Sequence, residues 1–350
     1  TLFKSEAKFV ANKTLKVGND TITAKRIIIA AGTRPSMPPV EGLRETDYIT
    51  SDEALRLKKQ PKTLTMLGGG YIATELAHFF GSLGTKVNII ENSPCLVPNE
   101  DEEISSRLTE IFRKKYSVFT GHMATKVSKK NGKFAVVAHS KYQKEKNIIL
   151  ESDELLVATG RTPNSDLLDV GKTNVETDSR GYIRTDEYLQ TTEKGIWALG
   201  DIIGKFLFKH SANLESQCAF QNAVLNKRVK VDYTAMPHAI FTYPQIAGVG
   251  FREQDLKSMD IDYVIGKYNF IDSGMGTAIN DINGFVKFFA ERKTKKILGC
   301  HIIGTEAATL IHEVLVAMKF GLSADAIEKT IHIHPALSEV VQRAVSNIEW

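Results

Sequence analysis

Cysteine is scarce in this sequence: three residues, Cys95, Cys218 and Cys300, stand far apart in 350. That spacing excludes a CxxC or zinc-type motif, and each thiol reads as a small buried or half-buried side chain. A dominant charge is missing as well. With 45 basic against 41 acidic residues the net charge is +4, and no basic stripe interleaved with aromatics occurs, so nucleic acid is not an expected partner. No apolar run reaches membrane-spanning length, and Thr1 opens no charged-then-apolar leader. A mature, soluble, cytoplasmic protein with no membrane association is the expectation. Its 42% hydrophobic and 25% charged residues are those of an ordinary globular chain, long enough for two or three domains with cores of their own.

What is present is organised around Lys62 to Glu91, KTLTMLGGGYIATELAHFFGSLGTKVNIIE. Thr63 to Leu67 predicts a short buried strand, the run to Leu83 an amphipathic helix, and Lys86 to Ile90 a second strand. Gly68 lets the first strand turn tightly, Gly70 offers no side chain to keep a pyrophosphate off the backbone, and Ala73 permits close helix-to-strand packing. Free amides at the helix start then face phosphates. Glu91 lies about twenty residues on, where a carboxylate accepts from ribose hydroxyls and repels a 2′-phosphate. NAD is therefore expected over NADP. The same glycines also close ordinary strand-helix turns, but here strand, helix, strand and terminal acid agree in order.

Before this unit, AKFVANKTLKV, GND and TITAKRIII read as strand, turn, strand, and the apolar Ile27 to Ala30 reads as the interior of a parallel sheet with neighbours on both edges. MPPVEG, Met37 to Gly42, is an extended crossing suited to a domain junction. Ser51 is placed as the cap of a short helix closed by Pro61. Beyond Glu91, Asp101 to Lys115 predicts a helix with Ile104, Leu108, Ile111 and Phe112 on one face. Val118-Phe119, Lys133 to Ala138 and Asn147 to Leu150 read as strands, and Lys141 to Lys146 as a solvated charged turn. LLVATGRTPN, Leu155 to Asn164, repeats the form of the earlier IIIAAGTRP, which suggests two comparable nucleotide-binding layers or two ligand-free packing turns. Gly195 to Leu199 is a third such strand ending in Gly200-Asp201, where an acid can hold a sugar-like hydroxyl or simply be solvated. Asn213 to Asn226 is expected to be helical.

From Asp232 the texture changes to short alternating strands, Ile246 to Val249, Ile261 to Phe270, Gly284 to Glu291 and Ile297 to Ile303, as in an antiparallel sheet. An amphipathic helix over Thr305 to Phe320 follows, and Pro335 is placed near the first turn of the final helix. His332 and His334 alternate with Ile331 and Ile333, so both are expected on one side of an extended segment. Glu339 can then reach His334, accept from one ring nitrogen and leave the other as a base. HxH alone lacks a third ligand, so no metal site is expected, although zinc-like and purely structural roles remain readings of the pair.

Taken together, IIIAAGTRP, GGGYIATELAHFFGSLG with Glu91, LLVATGRTPN, IWALGD, AIFTYPQIAGVG and HIHPALSE cover nearly the whole chain. The chain resembles the flavin- and NAD-dependent disulfide reductases, the family of dihydrolipoamide dehydrogenase, glutathione reductase, mycothione reductase and mercuric reductase. The resemblance implies an α/β fold with two nucleotide-binding Rossmann-like layers, the FAD one incomplete, followed by an α+β dimerisation domain. It implies a partial FAD-binding domain at 1–44 and 166–231, an NAD-binding domain at 45–165 and an interface domain at 232–350. Gly32, Thr33, Gly160 and Arg161 then fall near FAD-facing turns, Gly200 and Asp201 near its ribityl and phosphate part, and His210 and Ala212 in a stretch close to the flavin. Gly68, Gly70, Ile72 and Glu91 go to NAD, with Tyr71 and Glu75 beside the nicotinamide. His334 and Glu339 match the family's proton-transfer pair, which serves the active centre of the partner subunit in a homodimer.

One departure is large. Family members carry an earlier FAD fingerprint and a CxxxxC redox pair, and none of Cys95, Cys218 or Cys300 matches either cysteine. The resemblance thus implies that on the order of a hundred residues, part of a mononucleotide-binding layer, are trimmed, lost or carried on a separate N-terminal polypeptide. Dihydrolipoamide dehydrogenase, with a lipoyl domain as a partner, is the expected activity on the strength of Glu91 and the HP…E pair. FKHSANLE and IHIHPALSE look equally like the mycothione reductase branch, and a non-catalytic scaffold subunit is the competing class.

Overall fold

Strand pairing in the computed structural model, which describes residues 1–142 and 147–350, separates the chain into two units. The first comprises Thr1–Ser36 and Arg161–Tyr233; the second comprises Met37–Gly160 and Thr234–Trp350.

In the first unit the N-terminal hairpin of the sequence reading is a three-stranded meander, Ala7–Ala11, Thr14–Val17 and Asp20–Thr23. Lys13 adopts a left-handed conformation (φ 57°), which inserts a turn where one long strand was expected. Ile27–Ile29 pairs in parallel with Ile196–Ala198. Ile28 faces outward on this two-stranded sheet, so the expected flanking on both edges is not found among the described residues. Phe9, Ile29, Val170, Ile183, Ile196 and Ile202 form the core beneath it. The ends of the two similar motifs pair with each other: Thr33–Pro35 runs antiparallel to Arg161–Pro163. The following helix spans Lys209–Ala223, starting four residues before Asn213.

The second unit contains the fingerprint layer. Its parallel sheet has the order Glu154–Val157, Thr63–Leu67, Lys86–Glu91, Ser117–Thr120. Thr63–Leu67 is buried nearly throughout because strands flank it on both sides. Helix Tyr71–Ser82 presses Ala73, Leu76, Ala77 and Phe80 onto the sheet; helix Glu102–Lys115, capped by Asp101, adds Ile104, Leu108, Ile111 and Phe112. Thr50, not Ser51, caps the short helix Ser51–Ala54: its Oγ1 accepts from the Asp52 amide at 3.3 Å while Glu53 accepts from its amide at 2.8 Å. A separate antiparallel sheet joins His122–Lys130, Lys133–Ser140 and Asn147–Ser152; of the expected charged turn, residues 143–146 lie outside the described residues.

The same unit carries a five-stranded antiparallel sheet in the order Pro237–Ile240, Gln245–Gly250, Ile297–Gly304, Phe285–Glu291, Tyr263–Asn269. Helices Ala307–Lys319 and Glu339–Ser346 pack on it through Ile311, Val314, Val340, Val341, Ala344 and Val345. Ile240, Ile246, Phe285 and Ile303 share a core with Leu64, Met66 and Phe80 of the fingerprint layer. The last helix begins at Glu339 rather than near Pro335, since residues 335–338 form a turn. No helix among the described residues is long and apolar enough to cross a membrane.

Candidate functional site

The fingerprint turn is built as a cradle. Gly68 sits at φ +105°, and a Cβ there would strike the Ala158 carbonyl just past the end of the neighbouring strand. Gly70 is the N-cap of helix Tyr71–Ser82; no side chain caps that end, and a Cβ at Gly70 would meet nothing within 4 Å. A helix start with no side-chain cap, in front of bare glycine backbone, suits an anion. Glu91 closes the far side. Its buried carboxylate accepts from the Gly69 amide at 2.5 Å and the Ser93 amide at 2.6 Å, which aims it rather than leaving it solvated. Gly69 was not singled out from the sequence; the run of three glycines was the available signal.

Gly68 and Glu91 line a cavity of about 500 Å³ together with Pro39, Asn92, His122 and Thr159. Its size, a carboxylate at one wall and bare glycine backbone at another suit the sugar and base of a dinucleotide. Tyr71 is partly exposed. Glu75 is half-buried one turn further along, accepts from the Phe241 amide at 2.8 Å, and is pushed up from its ordinary value by burial.

In the first unit, three of the expected flavin-facing residues converge. Arg161 donates to Thr33 Oγ1 at 2.9 Å and to the Thr33 carbonyl at 2.8 Å, and Thr33 Oγ1 donates to Asp201 Oδ2 at 3.2 Å. The antiparallel ribbon of Thr33–Pro35 and Arg161–Pro163 fixes this geometry. Gly32 (φ +65°) has open space where a Cβ would stand, and Gly160 also takes a positive φ (127°). Gly200 (φ +75°) donates its amide to buried Glu215 at 2.6 Å and lies against Ala212. His210, on the helix's first turn, stacks on Phe208 with centroids 5.2 Å apart. A half-buried carboxylate held by one hydroxyl, beside bare glycine turns, fits a polyol and phosphate ligand such as FAD.

The C-terminal pair is formed. His334 Nδ1 lies 3.1 Å from each Glu339 oxygen, and the Ala336 amide donates to Glu339 Oε2 at 3.1 Å. That backbone bond, then His334, holds the Glu339 carboxyl below its ordinary range. The Glu339 carboxylate accepts, so Nδ1 carries the ring proton and Nε2 presents a lone pair on a side chain that is 74% exposed. His332 does not share that face. Its ring is buried, with Nε2 2.8 Å from Glu313 and Nδ1 3.0 Å from the Thr330 carbonyl, while Ile331 and Ile333 point outward. The strand alternation assumed from sequence fails because this segment is not a strand.

Cys95 is half-buried, Cys218 and Cys300 are buried, and all three are free. Burial pushes each thiol up, so none is poised as a thiolate.

Residues 1–226 match the family described as pyridine nucleotide-disulphide oxidoreductase, and residues 236–345 match the dimerisation domain of the same family. The chain is 34% identical over 332 residues to a mycothione reductase of Mycobacterium tuberculosis, covering 93% of this chain and 71% of that protein. It is 33% identical over 353 residues to the mitochondrial dihydrolipoyl dehydrogenase 1 of Arabidopsis thaliana, covering 98% and 69%. Among solved structures, the HOCl-induced flavoprotein disulfide reductase RclA of Escherichia coli superposes with a TM-score of 0.88 at 27% identity, over 98% of this chain and 78% of that one.

Proposed function

The chain belongs to the pyridine nucleotide-disulphide oxidoreductases, flavoproteins that bind FAD and a nicotinamide dinucleotide, and from that premise we propose that it works in an NAD-linked oxidation of dihydrolipoamide to lipoamide. The observation that carries this reading is His334 with Nδ1 tied to both Glu339 oxygens and Nε2 turned outward. A dithiol becoming a disulfide gives up two electrons and two protons. When bound, FAD supplies the two-electron relay and NAD the hydride acceptor.

The residues of this chain do the remaining work. Thr33, Arg161 and Asp201 hold the flavin's polar chain, with Gly32, Gly160, Gly200, His210 and Ala212 along the same turns. Gly68, Gly70, Tyr71, Ile72 and Glu91 seat NAD, Glu75 standing beside its nicotinamide. His334 Nε2 accepts the proton of the attacking thiol, and Glu339 stabilises the imidazolium that results. The three cysteines are poor candidates for the redox pair, so we assign that disulfide to residues outside this sequence, on the same or a separate polypeptide. Residues 1–44 with 166–231, 45–165 and 232–350 serve as flavin, NAD and dimer parts, Gly160 and Arg161 at the end of the NAD part turning to the flavin, and His334 acting in the partner's active centre of a cytoplasmic homodimer.

A mycothione-type disulfide is the second reading, favoured by the 34% identity to mycothione reductase and by FKHSANLE and IHIHPALSE. Steady-state assays of the complete flavoprotein with dihydrolipoamide and NAD, against mycothione disulfide and NADH, separate the two. In the same protein His334→Gln should lower dithiol turnover by roughly 10²–10⁴-fold while sparing NADH-driven dye reduction. Equal loss in both assays removes His334 from the proton step. A colourless purified protein that takes up no flavin points instead to a scaffold subunit.

A further inference from the structure

The dimerisation-type sheet carries a polar cluster made of residues assigned to neither dinucleotide and to no step of the proposed reaction. We propose that Glu100, His238 and His301 form a binding site for a divalent transition-metal ion of the zinc type, with His301 Nδ1, His238 Nε2 and one Glu100 oxygen as ligands. One donor atom from each residue already lies within 4.8 Å of the others.

The sheet register builds the site. His238, Gly248 and His301 are direct partners across three adjacent strands, so the two imidazoles project from one face with a glycine between them. A Cβ at Gly248 would come 2.5 Å from His238 Cε1 and 2.7 Å from His301 Nδ1. Any side chain there would fill the space that an ion needs. Glu100, from the segment after the fingerprint strand, reaches in and stands 2.7 Å from His238 Nε2.

His301 supplies the strongest indication. It is fully buried, and its Nε2 donates to the Phe251 carbonyl at 3.0 Å, which fixes the ring proton there and leaves Nδ1 as a bare lone pair. That Nδ1 has no hydrogen-bond partner. An orphaned acceptor in a buried position is costly, and a cation is the partner that imidazole, imidazole and carboxylate together select.

Charge around the site permits this. Lys287 follows His301 across the sheet, but its ammonium is taken by Asp101 at 3.0 Å, Glu253 at 2.6 Å and Glu103 at 3.4 Å. Arg252 is likewise paired to Asp255. Metal-ligand bonds of about 2.0–2.1 Å set tetrahedral ligands roughly 3.4 Å apart. Binding therefore opens the short His238–Glu100 contact slightly and moves the His238 ring proton to Nδ1. A fourth position is left for water, and the ion would pin the loop after the NAD strand to the C-terminal sheet.

The test uses the full-length holoprotein, stripped with chelator and then titrated with Co²⁺ and Zn²⁺. One ion per chain, tetrahedral Co²⁺ absorption and a rise in melting temperature reversed by chelator are expected. Glu100→Gln and His238→Gln should each weaken Co²⁺ at least ~100-fold and change its spectrum, whereas His334→Gln should do neither. Uptake and spectrum unaltered by the first two variants would overturn the site. Because a substitution at buried His301 can disturb folding, the unsubstituted protein provides the second measurement. Anomalous density between His238 and His301 in Zn²⁺-soaked crystals supports the proposal; a single water on Nδ1 under saturating Zn²⁺ refutes it.

Discussion

Glu91 both braces the fingerprint turn and lines the cavity beside it. Its carboxylate organises the Gly69 and Ser93 amides while lining the cavity that suits an adenosine. Glu91→Gln keeps the shape but loses charge-assisted bonds, and NADH affinity should fall about tenfold, or about 1.4 kcal/mol, by fluorescence titration. Glu91→Ala should weaken it further and relax the preference over NADPH. Unchanged cofactor preference in the alanine variant would remove Glu91 from ribose recognition. The placement of this acid was legible because it depends on spacing within one strand-helix-strand unit. The same holds for His334 and Glu339, five residues apart. The Thr33–Arg161–Asp201 triangle was only half legible: each corner marked a strand end, but 168 residues separate Thr33 from Asp201, and no local rule says that they bond. Glu100 and His238, 138 residues apart, were invisible for the same reason.

Among elements, the fingerprint strand and helix were read to within a residue or two at their ends because burial and glycine chemistry agree there. Gly68→Ala should therefore be severe: a left-handed backbone and a Cβ against the Ala158 carbonyl together cost on the order of 3 kcal/mol, measurable as a lowered denaturant midpoint. The strand His122–Lys130 was missed, since HMATKVSKK buries only Val127 and otherwise reads as a basic loop. A second element-scale effect concerns Lys287, set in the middle of the C-terminal sheet. Burial raises Glu253, but bonds from Lys257 and Lys287 outweigh it and hold the carboxyl at about 2. A depressed carboxyl contributes stability that is complete above its unfolded value near 4.5 and disappears as pH falls toward 2. Stability should thus decline across that window by on the order of 1 kcal/mol from this group, solvent screening reducing the full effect, and Glu253→Gln should flatten that part of the pH profile. Lys287→Met, which strands buried Asp101, should cost about 3–5 kcal/mol at neutral pH.

For the whole molecule, the C-terminal part presents apolar side chains that nothing in one subunit covers. Ile331 is 96% and Ile333 79% exposed, on either side of the inward-turned His332. In a region matching a dimerisation domain, such residues suit a subunit contact. Ile331→Asp combined with Ile333→Asp should raise the dimer dissociation constant at least ~100-fold by sedimentation velocity and abolish dithiol turnover, with the fold unchanged by circular dichroism. A persistent dimer would move the contact elsewhere. The fold class was readable at this scale because strands, helices and glycine turns alternate in a recognisable order, whereas strand neighbours within each sheet depended on distant pairings.

The first unit is discontinuous: Thr1–Ser36 packs with Arg161–Tyr233. On a ribosome that gap is a delay. At about 5–20 residues per second, Asp201 emerges roughly ten to thirty seconds after Thr33, and the Ile27–Ile29 strand waits just as long for Ile196–Ala198. Throughout that interval the isoleucine-rich ribbon lacks the strand it pairs with in the folded unit, so apolar side chains meant for that sheet stay open to chaperones and to aggregation.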